Sequence, residues 1–275
     1  MTLPNDFVFT QHNLQDFEDC PRRFELRHLL HLAWPAPQTE PILAHERHMQ
    51  MGDTFHRLVQ QYFLGLPSAL LTAQTLDPEL MDWFSAFLED PFVAGLPVQR
   101  WPEISLTMPF SGFRLLCKLD LLCSDEKHNF SILDWKTGTS PISRSILQDR
   151  WQTRLYPFIL QHAATSLTNA LPLRPDQIEM VYWFVVDPFH PQPFRFSQDQ
   201  SVEVEQLLSQ RISEIDHTHP DHFFMTTDVR RCAFCNYRSL CDRGETGNLA
   251  NADADFEPPE TTADLELDQI GEISI

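Results

Sequence analysis

Ile132-Leu133-Asp134-Trp135-Lys136-Thr137-Gly138 is the stretch from which the rest of the chain is read. Side chains alternate faces along a strand. Phe130, Ile132, Asp134 and Lys136 therefore share one face, and Ser131, Leu133 and Trp135 the other. The acid and the base stand side by side at a strand end, just before the turn marked by Gly138. A carboxylate there can hold a divalent cation, and an ammonium can orient a water or offset developing negative charge. The pair suits phosphodiester hydrolysis, although an isolated Asp-x-Lys on a strand is common.

Two strands are predicted upstream. Trp101 to Phe110 places Glu103, Ser105 and Thr107 on one face. Phe113 to Cys123 groups Phe113, Leu115, Cys117, Leu119 and Leu121, with Arg114, Lys118 and Asp120 opposite. The polar run 124–129 reads as a hairpin turn. Antiparallel pairing then brings Asp120 towards Asp134, and two facing carboxylates repel unless a cation lies between them.

Helices are expected on both sides of these strands. Thr10 can cap one that carries Leu14 and Phe17 inward. Cys20-Pro21 opens a second stretch with Phe24, Leu26, Leu29 and Leu30 as core candidates, and the proline-rich residues 34–41 read as a loop. A helix over 42–64 repeats Phe55, Leu58, Val59 and Tyr62 at helical spacing, with His56 beside that face. Residues 67–100 read as a helical insertion broken by prolines. A helix over 144–164 puts Gln152 and Tyr156 on one face, with Pro157 expected to kink or break it. Ile178–Val186 is apolar enough for a central strand, 193–196 reads as an edge strand, and 201–216 as an amphipathic helix.

Cys232-Ala-Phe-Cys235-Asn-Tyr-Arg-Ser-Leu-Cys241 sets three thiols at C-x2-C-x5-C spacing. Such a trio points to a thiolate-bound metal, with Cys20 the best fourth ligand; spacing does not separate zinc from an iron-sulfur cluster. Cys117 and Cys123 fall on predicted strands and read as buried thiols.

Composition frames these motifs. The 275 residues carry a net charge of -19, which argues against a nucleic-acid partner until its distribution is considered. Eight of the 39 acidic residues lie between 251 and 275, and no Lys or Arg follows Arg243. Seven of the 20 basic residues crowd the cysteines: Arg22, Arg23, Arg27, Arg230, Arg231, Arg238 and Arg243. A local basic patch is compatible with the acidic total. No apolar run is long enough to span a membrane, and Met1–Asp6 does not start like a secretory signal, so a cytoplasmic protein is expected. The tail 244–275 is too acidic to fold alone and is predicted to be disordered.

Taken together, Cys20-Pro21-Arg22, Gly52-Asp53-Thr54-Phe55-His56, Lys118-Leu119-Asp120, Leu133 to Gly138, Gln152-Thr-Arg-Leu-Tyr156 and the cysteine trio resemble the PD-(D/E)XK nuclease superfamily. The likeness is to its RecB-like exonuclease branch with an iron-sulfur staple, which includes the AddB and RecB nuclease domains and CRISPR-associated relatives. The resemblance implies an α/β, restriction-endonuclease-like core over 1–243: a mixed central sheet flanked by helices, with N- and C-terminal segments joined by the staple. It implies a Mg2+- or Mn2+-dependent DNA exonuclease acting on single strands or ends in repair, recombination or CRISPR-related processing, with a helicase or CRISPR protein as partner. His56, Asp120, Asp134 and the Trp135 carbonyl would bind the metal. Lys136 would position the attacking water, and Gln152 and Tyr156 would support the site and contact DNA. Cys20, Cys232, Cys235 and Cys241 would hold a 4Fe-4S cluster. Rival readings are a catalytically silent nuclease-like scaffold and an iron-sulfur redox sensor. Cys117 replaces a frequent family glycine, and Pro157 and the acidic tail also depart from the pattern.

Overall fold

The computed structural model describes residues 3–32, 40–75, 77–168, 172–232 and 235–243. The predicted tail and most of the proline-rich loop lie outside them. Six strands form one mixed sheet: β1 (Val8–Phe9), β2 (Gln99–Phe110), β3 (Phe113–Ser124), β4 (Phe130–Lys136), β5 (Ile178–Phe184) and β6 (Gln192–Arg195). β3 runs antiparallel to β2 and β4, β4 and β5 are parallel, and β6 closes the far edge antiparallel to β5.

Helices cover both faces. On one side, α1 (Gln11–Asp19), α8 (Trp151–Ala163) and α9 (Gln198–His217) bury Leu14, Phe158, Leu208 and their neighbours against Ile132, Met180 and Tyr182. On the other, α3 (Glu40–Phe63), α4 (Ser68–Gln74), α5 (Pro78–Glu89) and α6 (Pro91–Ala94) pack Phe55, Trp83, Phe87 and Val93 onto Leu133, Trp135 and Trp183. The short helices α2 (Pro21–Phe24) and α7 (Arg144–Asp149) flank α1 and α8. A helix–sheet–helix sandwich results, each face of β4 feeding one core. Fully burying a Leu or Phe stabilises by about 1.5–3 kcal/mol, so the alternation of β4 fixes its register firmly.

Around β3 the sheet opens. β2 lies along one side of it for its whole length. On the other side it pairs with β1 through Arg114 and Leu115, and with β4 only from Leu121 onward. Residues 116–120 therefore have no strand neighbour on that side, and a cavity forms there.

Several local expectations are corrected. Leu119 joins the first core and Leu121 the second, with Leu122 back in the first. The alternation of β3 thus slips by one residue at Asp120, level with Glu103 of β2, whose φ is +54°. The predicted helix 144–164 is two helices. Arg150 is extended, and the Thr153 hydroxyl donates to the Leu147 carbonyl at 2.5 Å, closing α7 as α8 begins. Pro157 does not break α8, whose first ten residues are buried but for Arg154. That burial outweighs the one backbone hydrogen bond proline forgoes. Leu30 is half exposed, because a π-helical turn over Glu25–Leu29 rotates it outward.

Candidate active site

A cavity of about 660 Å³ opens where β3 parts from β4, roofed by α3 and α8. Its floor is set by register. Pairing Pro102 with Leu121 and Ile104 with Leu119 puts Glu103 opposite Asp120. Continuing the β3–β4 pairing one residue past Leu121 and Leu133 puts Asp120 opposite Asp134. Three carboxylates thus converge from three adjacent strands.

Each carboxylate has its own partners. Asp120 Oδ2 accepts the Trp135 backbone N–H at 2.9 Å and lies 3.3 Å from His56 Nδ1. Glu103 Oε2 pairs with Lys118 Nζ at 2.7 Å. Lys136 Nζ lies 3.1 Å from Asp134 Oδ2 and donates to Gln152 Oε1 at 3.0 Å, while Gln152 Nε2 donates to Asp134 Oδ1 at 2.5 Å. Asp134, Lys136 and Gln152 close a buried triangle between a strand end and α8. Tyr182, one strand over, lies beneath it: its ring is 5.6 Å from Lys136 Nζ, and its hydroxyl is 2.7 Å from Thr153 Oγ1.

Protonation follows the crowding of charge. Burial alone would lower the His56 imidazole, but Asp120, with Asp134 and Glu103, raises it to about 9. Burial, then Asp120, pushes the Glu103 carboxyl up against the opposing Lys118 and His56 charges. Gly52 brings α3 this close: a Cβ there would stand 2.7 Å from Thr137 Oγ1. His48 Nε2 lies 2.6 Å from the Thr137 carbonyl, tying the same helix to the turn after β4.

The family model of the PD-(D/E)XK nuclease superfamily matches residues 8–242. The chain belongs to that superfamily. No curated protein matches it. Among solved structures, it is similar to a protein of Eubacterium rectale named as an exonuclease, at 10% identity and TM-score 0.46 over 76% of this chain and 79% of that one. It is also similar to SSO0001, at 12% identity and TM-score 0.38 over 86% of each chain. At those scores neither likeness bears on the chemistry.

Superfamily nucleases use divalent metals, and the donor set fits one. A ring nitrogen of His56 and oxygens of Glu103 and Asp120 all lie within 4.8 Å of one another, the one such group of three among the described residues. A nitrogen and two carboxylate oxygens suit a hard divalent cation. His56, Asp120, Asp134, Lys136, Gln152, Trp135 and Tyr156 all line the one cavity, but Asp134 stands outside the three-donor group, its oxygens facing Lys136 and Gln152. The Trp135 ring itself packs into the second core. Glu103 and Tyr182 were missed. Tyr182 left no sequence signal within its apolar strand. Glu103 left one, an acid among the apolar and hydroxylic residues of 101–110.

Cys20, Cys232, Cys235 and Cys241 line a separate cavity of about 20 Å³. No three of their sulfurs lie mutually within 4.8 Å. Burial pushes the last three thiols up. Cys20 Sγ accepts the Thr226 N–H at 3.4 Å across 206 residues of sequence. Arg231 pairs with Asp19, the Arg22 N–H donates to the Phe224 carbonyl, and the Tyr237 hydroxyl donates to the Leu32 carbonyl. The N- and C-terminal segments are therefore joined by protein bonds. Cys117 and Cys123 are buried in the sheet, one in each core.

Proposed function

We propose that the chain is a metal-dependent deoxyribonuclease of the RecB-like branch, acting as an exonuclease on single strands or ends. The observation that carries this is the buried Asp134–Lys136–Gln152 triangle beside the His56–Glu103–Asp120 donor group. A divalent cation held by His56, Asp120 and Asp134, with the Trp135 carbonyl, would supply Lewis-acid polarisation of the scissile phosphate. Lys136 keeps a fixed ammonium at the strand end, where it orients a water and offsets charge gathering on the phosphoryl oxygens. Gln152 holds that ammonium from one side and Asp134 from the other, so no reorganisation is needed at the moment of reaction. Tyr156 lines the wall one helical turn from Gln152, and its buried ring supports that side of the site.

The reading extends to the cysteines. We infer a 4Fe-4S cluster bound by Cys20, Cys232, Cys235 and Cys241. The four thiols line one small cavity, and the Arg243 and Arg23 charges beside Cys232 and Cys235 would offset the negative charge of a thiolate-bound cluster. In this scheme residues 1–243 are one nuclease domain with 67–100 as a helical insertion, and 244–275 are an acidic tail. End-labelled single- and double-stranded DNA incubated with Mg2+ or Mn2+ tests the activity. Shortening from the ends that EDTA stops is the expected result. Intact DNA, with metal binding demonstrated, overturns it in favour of the silent scaffold.

A further inference from the structure

A second cavity, of about 550 Å³, is walled by α7, α8, β6 and α9. α8 divides it from the carboxylate cavity: Gln152 and Tyr156 line the one, Thr153, Arg154 and Pro157 the other. Its volume falls within the range of small-molecule sites, about 300–1,000 Å³. Three arginines reach it from three separate elements, Arg144 from α7, Arg154 from α8 and Arg195 from β6. In a chain of net charge -19, a general excess of basic residues does not explain three guanidiniums around one hollow. Asp149 and Glu203 also line it. Asp149 pairs with Arg154 at 2.8 Å but is 77% exposed, and a pair so open to water is worth little, so an entering anion can displace it. Arg144 is held differently. Its guanidinium lies 4.1 Å over the Phe194 ring and donates to the Pro193 carbonyl at 2.6 Å. One face and one edge of that plane are thereby fixed, while the residue as a whole stays exposed. A plane braced in this way is a stacking platform, because nucleobases stack on guanidinium planes as they do on aromatic rings. Gln148 and Gln200 add amides to the wall, and Phe196 and Leu207 add apolar surface. Amides can donate to and accept from a base edge, and guanidiniums bind phosphate oxygens through paired N–H groups.

We propose that this second cavity binds a nucleotide, its base against the Arg144 plane and its phosphate against Arg154 and Arg195. Such a nucleotide has two sources, a free mononucleotide or one unit of a single strand passing α8, and the recognising chemistry is the same for both. The site uses no residue of the carboxylate cavity. It therefore goes beyond the nuclease reading and stands or falls apart from it.

The test is calorimetric titration of the full chain, without divalent metal, with deoxyadenosine 5′-monophosphate, with deoxyadenosine and with a short single-stranded oligodeoxyadenylate. Wild type is compared with Arg144→Ala and Arg195→Ala. Arg174→Ala serves as the control for general loss of charge, since Arg174 is exposed and lines neither cavity. Each cavity variant should raise the Kd about tenfold or more, because contacts to a charged phosphate or to the stacked base are lost. Arg174→Ala should change it by less than about twofold. Deoxyadenosine, which lacks the phosphate, should bind wild type about tenfold more weakly than the nucleotide or worse. Binding of the mononucleotide with this arginine dependence identifies a free ligand. The same dependence seen with the oligonucleotide alone identifies the strand. Wild-type affinity in either cavity variant overturns the proposal, and so does a wild type that binds neither probe. Equal weakening by Arg174→Ala reduces the effect to surface charge and also overturns it, as does deoxyadenosine that binds as tightly as the nucleotide. Arg144 braces β6 through Pro193. Should Arg144→Ala fail to fold, Arg195→Ala decides alone by the same criteria. Nucleotide binding with no metal-dependent cleavage removes the nuclease reading and leaves this site standing.

Discussion

Asp120, Asp134 and Lys136 reach their cavity from two strands joined by one short turn, whereas Cys20 and Cys241 meet from opposite ends of the described chain. The first constellation is placed by strand register and locked by hydrogen bonds among its own members. The second sits on 3-10 turns and a helix start. It is stitched by a few hydrogen bonds and one ion pair between segments more than two hundred residues apart. One site should keep its shape whatever it binds; the other should depend on what it binds.

The sharpest way to break that contrast is at the cysteines. Losing a cross-link that closes so long a loop frees the unfolded chain, and by analogy with a long disulfide loop the cost is about 4–5 kcal/mol. Cys20→Ser should yield protein that is colourless and insoluble or that melts far below wild type. Melting curves of anaerobically purified wild type and variant check this. Wild type containing stoichiometric zinc and no iron would remove the cluster, and an unaltered melting temperature would remove the cross-link.

At the carboxylate cavity substitution should act first on rate, and on rate alone only where it is isosteric. Asp134→Asn or Lys136→Ala should lower hydrolysis by about 10²–10³, some 2.7–4 kcal/mol, the range seen when one transition-state contact is lost. Asp134→Asn keeps the shape of the triangle and should leave the melting temperature within a few degrees. A full-length decay course on labelled DNA, read beside a melting curve, separates the two effects. Near-normal rates in either variant would end the assignment.

These two sites were unequally legible in the sequence. Asp134 and Lys136 could be placed because strand alternation and a terminal glycine specify both face and position. Gln152 and Tyr156 followed from helical spacing, which survives the break at Arg150 because both lie beyond it. Glu103 stood out only as an acid on a predicted strand, and its role could not be read. Its role arises from a left-handed backbone turn and a one-residue slip in β3, and neither leaves a mark in a hydrophobicity pattern. Leu121 was assigned to the wrong face for the same reason. Pro157 misled because local propensity argues against a helix that burial on nearly every side enforces. The cysteines could be grouped by spacing, yet what they bind is a property of sulfur geometry that spacing does not contain.

Acid sharpens the comparison further. The N-terminal half of the cysteine region rests on Asp16, which forms an ion pair with Arg23 at 2.8 Å and a hydrogen bond with His28 at 2.8 Å. Burial would raise its carboxyl, but the His28 hydrogen bond and the Arg23 and Arg27 charges bring it down to about 2 from an ordinary 3.8. A carboxyl so depressed contributes stability that is fully present above the ordinary value and is lost as pH falls through about 2. The contribution is about 2 kcal/mol. Asp16→Asn should therefore lower stability at neutral pH by roughly that amount and flatten the acid limb of a pH–denaturation series. Parallel curves for both proteins down to pH 2 would show that Asp16 carries none of this.

The smallest expected effect on stability is at Gly52, and it tests whether the first site's rigidity reaches the helix above it. Replacing a mid-helix glycine with alanine ordinarily stabilises by about 1 kcal/mol. Here the new methyl would stand 2.7 Å from Thr137 Oγ1, so the threonine must rotate or α3 must lift, at a cost near the lower end of the roughly 1–3 kcal/mol of overpacking. The two terms nearly cancel, and Gly52→Ala should melt within a few degrees of wild type. The site registers the displacement nonetheless. Gly52 and His56 are one helical turn apart, and His48 bonds the carbonyl of the same Thr137. A lift of α3 draws His56 Nδ1 away from Asp120, now 3.3 Å distant, and loosens the metal-donor group. Misplacement by about 1 Å can cost on the order of a hundredfold in rate. Turnover should fall at least several-fold, with partial recovery at high Mn2+ if the donor group is what has loosened. Full activity with an unshifted Mn2+ requirement would show that Thr137 yields instead of the helix, and that the cavity's order stops at β4.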